Sequence, residues 1–279
     1  MSGRTGQTLV DIREATVMVL ADRPELVMTY ARLRTEGGPP LHVHEVQADT
    51  FAILGGELKV GLGDQQLELG EDSVWSAPPG VVHGYQHEGT DEVRFLNMHT
   101  PGMDFAEYLF GKKTAEQIDQ FEPPADGGRP ASDAALLKLD EGETVTDKPE
   151  RTIRILVDLP ELTLTWTRYV AGEEGPGPHI HKQHVDAFFI LTGELLFRVG
   201  PDLEPVNATP GTFVLAPPHV VHTFRNEGPD DATWLNLHAP SEGFAQFLRD
   251  PDFVWDSFDA PADGGRPFSE AIVQRVHAA

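Results

Sequence analysis

The apolar residues of this 279-residue chain come in short runs. Residues 15–20, 26–33, 50–54, 57–62, 66–69, 73–76, 84–87 and 93–99 are each rich in β-branched or aromatic side chains and bounded by Gly, Pro, Asp or Asn. Many short segments at regular spacing, with turn signals such as Gly55-Gly56 and Gly63-Asp64 between them, predict an antiparallel sandwich or barrel. Residues 1–10 are expected to fray. Over 101–121 the pattern changes: Phe105, Tyr108, Leu109 and Ile118 are spaced as helix faces, so one or two helices are expected after the strands. A Pro/Gly loop occupies 122–131. Ser132 with Asp133 then reads as the cap of a short helix running to about residue 139.

Near residue 140 the pattern restarts and repeats the first half. Leu96-Asn97-Met98-His99 returns as Leu235-Asn236-Leu237-His238, Phe105-Ala106 as Phe244-Ala245, and Asp126-Gly127-Gly128-Arg129-Pro130 as Asp263-Gly264-Gly265-Arg266-Pro267. The offset stays between 136 and 139, which is the mark of a tandem domain duplication rather than a short-period repeat. Two domains are expected, 1–140 and 141–279, each long enough for its own core. The repeat is an internal comparison: what both halves keep is constrained in both.

Histidine is kept most clearly. His42, His44, His83 and His99 match His179, His181, His222 and His238. Each His-x-His pair is followed by an aspartate (Asp49, Asp186), then by a glycine seven positions later (Gly56, Gly193), and later by Pro-Pro-x-Val-Val-His. On a strand, residues two apart share a face, so each His-x-His pair projects side by side. The aspartates open the next strand, and His83 and His222 enter a later one just after a Pro-Pro turn. Inside a small barrel these faces converge. Three imidazoles and a carboxylate suit one divalent first-row metal per barrel, iron, manganese, nickel, cobalt, copper or zinc. The alternative is a polar barrel interior with satisfied histidines and no metal.

Composition narrows the chemistry. Cysteine is absent, so disulfides, thiolate nucleophiles and sulfur ligands are excluded and any metal is held by nitrogen and oxygen. A formal charge of −24 repels phosphate backbones and argues against nucleic acid and anionic membranes as partners, although solubility alone accounts for such a charge. No run approaches the roughly 18 apolar residues of a membrane helix, and the start has no apolar leader, so a cytoplasmic chain is expected.

These residues resemble the cupin superfamily, whose motifs have the form G-x5-H-x-H-x3–4-E-x6-G and G-x5-P-x-G-x2-H-x3-N. Two copies make a bicupin. The resemblance implies an all-β chain of two tandem antiparallel jelly-roll barrels, each followed by short C-terminal helices. It implies metal ligands His42, His44, Asp49 and His83 in the first barrel and His179, His181, Asp186 and His222 in the second. Both copies depart from the pattern: Asp replaces the ligand Glu, and a side chain one methylene shorter either binds or retreats behind three histidines. His219 stands where the first copy has Gly80, and His87 where the second has Asn226.

The segment after the second barrel looks like that of quercetin 2,3-dioxygenase-type cupins. This implies an oxygenase acting on a small enol- or phenol-type substrate, with Asp49 or Asp186 doubling as catalytic base. A redox-neutral metal-dependent isomerase, lyase or decarboxylase is the second reading, and a non-catalytic small-molecule binder the third. A homodimer is left open. Of the remaining residues, Arg32 and Arg168 are expected in rim ion pairs or on a substrate carboxylate. His184, which has Gln47 as its counterpart, is expected at the solvent-facing mouth. His87 and His219 are candidate acid or base groups at a pocket mouth. The repeated Asp-Gly-Gly-Arg-Pro loop is expected to be a packing turn or a lid.

Overall fold

In the computed structural model, which describes residues 6–12, 15–89 and 91–276, the chain packs as two compact units, Met1–Glu141 and Gly142–Ala279. Each unit is two antiparallel sheets. In the first, a seven-stranded sheet runs in the spatial order Thr8–Ile12, Ala15–Asp22, Val27–Leu33, Val93–Thr100, Ala48–Gly55, Ser73–Ala77, Ala135–Lys138. A four-stranded sheet of Glu36–Gly37, His83–Glu88, Glu57–Leu62 and Gln65–Gly70 completes the sandwich. The second unit repeats the order with Glu143–Asp147, Arg151–Asp158, Thr163–Tyr169, Ala232–Ala239, Val185–Thr192, Thr212–Ala216 and Ile272–Arg275. Its smaller sheet has five strands, Glu204–Ala208, Leu195–Val199, His222–Arg225, His179–Ile180 and Phe258–Asp259.

The two-residue period of a strand decides what faces the interior. Along Ala48–Gly55, Phe51 and Ile53 enter the core, so Asp49 joins them on the inner face. Along Val93–Thr100, Val93 and Phe95 do the same and carry Asn97 and His99 with them. The register sets His99 opposite Asp49 and Asn97 opposite Phe51. The second unit has the same arrangement, with His238 opposite Asp186 and Asn236 opposite Phe188. One end of each barrel interior is therefore polar and the rest apolar. In the first unit the apolar part is anchored by Phe51 stacked on Trp75, ring centroids 4.1 Å apart and 9° between planes, a pair that adds about 0.5–1.5 kcal/mol to its area burial.

The shared glycine seven positions past each aspartate ends its strand with positive φ, +77° at Gly56 and +69° at Gly193. A side chain there would run into the carbonyl of Glu92 or Asp231, so the turn accepts glycine alone.

Three sequence expectations change. The frayed start ends at Thr8, because Thr8–Ile12 pairs with Ala15–Asp22; residues 1–5 lie outside the described residues. The expected helix from Ser132 to about residue 139 is a single 3-10 turn, Ala131–Asp133, followed by the strand Ala135–Lys138 paired with Ser73–Ala77. The expected helical segment over 101–121 is short, Phe105–Leu109 and a 3-10 turn at Ala115–Ile118; its counterpart in the second unit is Phe244–Arg249. Among the described residues, no helix is long and apolar enough to cross a membrane.

Candidate metal centre

The two predicted ligand sets converge, one at the polar end of each barrel. The donor atoms of His42, His44, Asp49 and His83 all lie within 4.8 Å of one another, and so do those of His179, His181, Asp186 and His222. The smaller sheet brings the first and last histidines together, since His42 bridges to His83 and His179 pairs with His222. Their ring centroids are 4.4 Å and 4.2 Å apart. The larger sheet supplies the aspartate.

The hydrogen bonds fix which nitrogen faces inward. Nδ1 of His42, His44 and His83 lies 2.8, 2.7 and 2.9 Å from the carbonyls of Pro40, Asp119 and Val81. A carbonyl only accepts, so each Nδ1 carries the proton and each Nε2 turns a lone pair to the centre. His179, His181 and His222 repeat this on Gly177, Asp256 and Val220 at 2.9, 2.6 and 3.0 Å. The Nε2 atoms of His44 and His181 are buried without a hydrogen-bond partner. Asp49 Oδ2 stands 3.2 Å from His83 Nε2, and Asp186 Oδ2 3.1 Å from His222 Nε2. A carboxylate oxygen facing imidazole lone pairs in a buried site is a cluster of electron-pair donors with no cation among the side chains. A divalent metal satisfies all of them at once, so the residues fit the group that the sequence implies.

The protonation states agree. Burial, reinforced by the neighbouring His83, lowers His42 to about 4, and burial likewise lowers His44 to about 4. Burial and the neighbouring His222 and His181 lower His179 to about 3. Burial would raise Asp49 and Asp186, but His99 or His238 and the facing ligand histidines outweigh it and hold both well below the usual carboxylate range. At neutral pH His42, His44 and His179 are thus neutral imidazoles beside an ionised carboxylate, the forms that bind a metal.

Three groups behind the ligands escaped the sequence reading. Asn97 donates from Nδ2 to Asp49 Oδ1 and accepts from His99 Nε2 at 3.1 Å; Asn236, Asp186 and His238 do the same, the last at 3.2 Å. One carboxylate oxygen is thus occupied by the amide and the other left to the cluster. Asp119 and Asp256 reach in from the segment after each helix. His184, expected at the solvent-facing mouth, is fully buried: its Nδ1 meets Asp256 Oδ2 at 2.9 Å and its Nε2 meets His238 Nδ1 at 2.9 Å. Its counterpart Gln47 is fully buried as well, so the difference between the two halves at this position is one of buried partners and not of exposure. Asn97 and Asp119 recur at matched offsets, and that was the signal available.

The other candidates resolve differently. Arg32 and Arg168 form rim pairs, Arg168 with Asp231 at 2.9 Å and Arg32 with Glu92 at 4.0 Å. His87 is buried on the inner face of His83–Glu88, and His219 is half-buried with φ +69°. The Asp-Gly-Gly-Arg-Pro loops are packing turns. Arg129 N bonds Gly80 O and Arg266 N bonds His219 O, both at 2.8 Å, pinning the turn that precedes His83 or His222.

In the second unit a cavity of about 300 Å³ opens onto His179, Asp186 and His238. Its walls are Phe224, Trp234, Phe244, Phe247 and Trp255, with Thr165, Thr167 and Ser257 as polar points. Arg151 also lines it, bonded to Glu173 and lying 4.6 Å from the Tyr169 ring centroid.

Comparisons with known proteins agree with this architecture. The chain is 22% identical over 228 residues to quercetin 2,3-dioxygenase of Bacillus subtilis (strain 168), a match covering 67% of this chain and 65% of that protein's length, just under two thirds of it. Oxalate decarboxylase from Bacillus subtilis superposes with a TM-score of 0.57 at 17% identity, covering 86% of this chain and 75% of that one. Oxalate decarboxylase from Lactobacillus farciminis gives 0.58 at 13% identity, covering 93% and 87%. At these identities the superpositions speak for the fold alone. The cupin domain model matches residues 29–99 and 165–238, more than half of the chain, and each matched segment holds one complete cluster: the protein belongs to the cupin family and is a bicupin.

Proposed function

We propose that this bicupin is a metal-dependent enzyme, an oxygenase that acts on a small enol- or phenol-type substrate. The observation that carries the reading is the second unit's cluster, in which three oriented imidazoles and one carboxylate converge while two of its members, His179 and Asp186, line an aromatic-walled cavity. In this reading His42, His44, Asp49 and His83 hold one metal ion and His179, His181, Asp186 and His222 another. Such an ion supplies Lewis acidity toward a substrate oxygen and, where it is redox-active, a route for O2.

The chain's own residues do the rest. The aromatic walls favour a flat, largely apolar molecule. Arg151, the cation at the cavity, is already neutralised by Glu173, so a small dianion finds little to balance its charge. Asp186 lines the cavity as an ionised carboxylate, which makes it the nearest proton acceptor for an incoming hydroxyl as well as a ligand. His238, buried beside it and kept well below the usual histidine range, chiefly by burial, holds Asp186 in place with Asn236. In the first unit all four cluster residues are buried, and Asp49 has the same proposed role there.

The test is oxygen uptake by purified protein loaded in turn with iron, manganese, nickel, cobalt and copper, against flavonols and simpler enols and catechols. Uptake that requires the metal and is lost in Asp186→Asn and His181→Ala supports the reading. Substrate turnover without oxygen uptake, with zinc tolerated, replaces it by an isomerase, lyase or decarboxylase. Saturable binding without turnover replaces it by a binding protein.

A further inference from the structure

Within each cluster the second histidine is held differently from the other two. His42 and His83 rest on carbonyls two residues back in the chain, and so do His179 and His222. Their orientation is local and survives whatever happens elsewhere. His44 and His181 instead rest on the backbone carbonyls of Asp119 and Asp256, 75 residues downstream, at 2.7 and 2.6 Å. These are also the two ligands whose Nε2 is buried with no partner.

The same two aspartates grip the loop that follows. The Asp119 carboxylate accepts the backbone N–H groups of Glu45, Val46 and Gln47 at 3.2, 2.7 and 2.9 Å. The Asp256 carboxylate accepts those of Lys182 and Gln183 at 2.9 and 2.7 Å, while His184 Nδ1 stands 2.9 Å from the same oxygen without a hydrogen bond to it. Both aspartates are buried, 7% and 6% exposed, and neither touches the cluster through its carboxylate. Their segment is itself zipped to the histidine strand, Val43 exchanging both backbone hydrogen bonds with Phe121, and Ile180 pairing with Phe258.

We propose that Asp119 and Asp256 are positioning residues that set the metal affinity of the two clusters, each by clamping the His-x-His loop from the segment after its barrel. The inference rests on the metal-binding reading above. Its physical content is that the loop between the second histidine and the aspartate ligand has no ladder of its own, so its N–H groups and the ring of His44 or His181 are ordered only when the downstream aspartate is docked. Outer partners of this kind are worth about 10- to 100-fold in metal affinity. Linkage makes the effect reciprocal: bound metal tightens the docking of residues 115–121 and 254–259 on their barrels. In the second unit the clamped loop also carries His184, whose Nε2 donates to Nδ1 of His238 beside Asp186, whereas Gln47 in the first unit bonds the carbonyl of Pro101 instead.

The test uses the full chain and Co2+ as probe, with chelator competition to resolve the two sites and visible absorption of the bound ion to report its ligand field. Asp119→Asn is expected to weaken one site about 10- to 100-fold with an altered spectrum and leave the other untouched; Asp256→Asn does the reverse. Alanine at either position weakens its site further than asparagine, which keeps one acceptor oxygen. Unchanged affinity and spectrum in folded variants overturn the proposal, as does an equal loss at both sites. A lower melting temperature with an unchanged spectrum assigns the aspartates a purely structural role and also overturns it. If the variants do not fold, amide exchange on the unaltered protein decides: Co2+ must slow residues 45–47 and 115–121 together, and protection of the first stretch alone refutes the clamp. Wild-type protein that takes up no Co2+ overturns the metal-binding reading itself, and this inference with it.

Discussion

Replacing Asn97 by leucine tests the polar wiring behind the first cluster without opening a hole. The two side chains have the same branched outline, so the cavity cost that accompanies truncation is absent and the change is one of polarity. Asn97 is 7% exposed, donates to Asp49 Oδ1 and accepts from His99 Nε2. Its loss deprives a buried carboxylate of a charge-assisted donor, a hydrogen bond of roughly 1.5–3 kcal/mol, and a buried imidazole of its acceptor, another ~1–3 kcal/mol. Part returns, because His99 Nε2 already lies 3.5 Å from Asp49 Oδ1 and can swing its proton onto it. The expected net cost to the metal-free first unit is therefore about 2–4 kcal/mol. Chemical denaturation of chelator-treated wild type and variant measures it as a shifted midpoint at constant slope. Asn236→Leu should cost more, because Asn236 also donates to the Ala187 carbonyl at 3.1 Å. A leucine variant within about 0.5 kcal/mol of wild type, or more stable, refutes the account, since it would mean that the amide is not needed to keep Asp49 ionised and aimed.

Acid should unfold the metal-free protein early. Burial, opposed by Asp49, lowers His99 to about 4 in the fold, whereas the unfolded chain protonates it near 6.5, so between those values the unfolded state binds more protons and stability falls as pH falls, by on the order of 3 kcal/mol for this one residue. Asp49 and Asp186, held low in the fold, add a loss of the same sign below about pH 4; melting temperatures that are flat from about pH 7 to pH 4.5 refute this. Trp75→Phe should cost only about 1–2 kcal/mol, because the buried indole Nε1 has no hydrogen-bond partner to lose, and a larger drop would reveal one. Gly265→Ala should destabilise the second unit by about 2 kcal/mol or more and weaken its metal site, since a Cβ there would sit 2.5 Å from the His219 carbonyl at φ +70°, on the turn that delivers His222. Calorimetry and metal titration of that variant check both effects.

The parts of the fold and site that were legible in the sequence are those written in short-range patterns. Apolar runs bounded by turn residues marked the strands, and the internal repeat marked which histidines and aspartates converge. Features that depend on a distant partner were not legible. Ser132-Asp133-Ala134-Ala135-Leu136-Leu137 has the local chemistry of a helix start, but Leu137 pairs with Val74 across the sheet edge, and that pairing outweighs propensity. The matching residues of the second half, Ile272 and Val273, are β-branched and could have arbitrated. His184 was misplaced because its role is set by Asp256 and His238, both more than 50 residues away and invisible to spacing. The cavity depends on how a helix, a loop and a strand end meet, which no periodicity encodes.

The second-unit counterpart of the strand that replaced the expected helix also has a colloidal consequence. Thr212-Phe213-Val214-Leu215-Ala216 is uncharged, β-prone and buried at every position, and Ile272–Arg275 is what covers its outer edge. A chain shortened before Ile272 would keep every residue of both His/Asp clusters and still present that edge as a template for intermolecular pairing. The final strand, remote from the chemistry, is what keeps the second barrel from recruiting its own copies into aggregates.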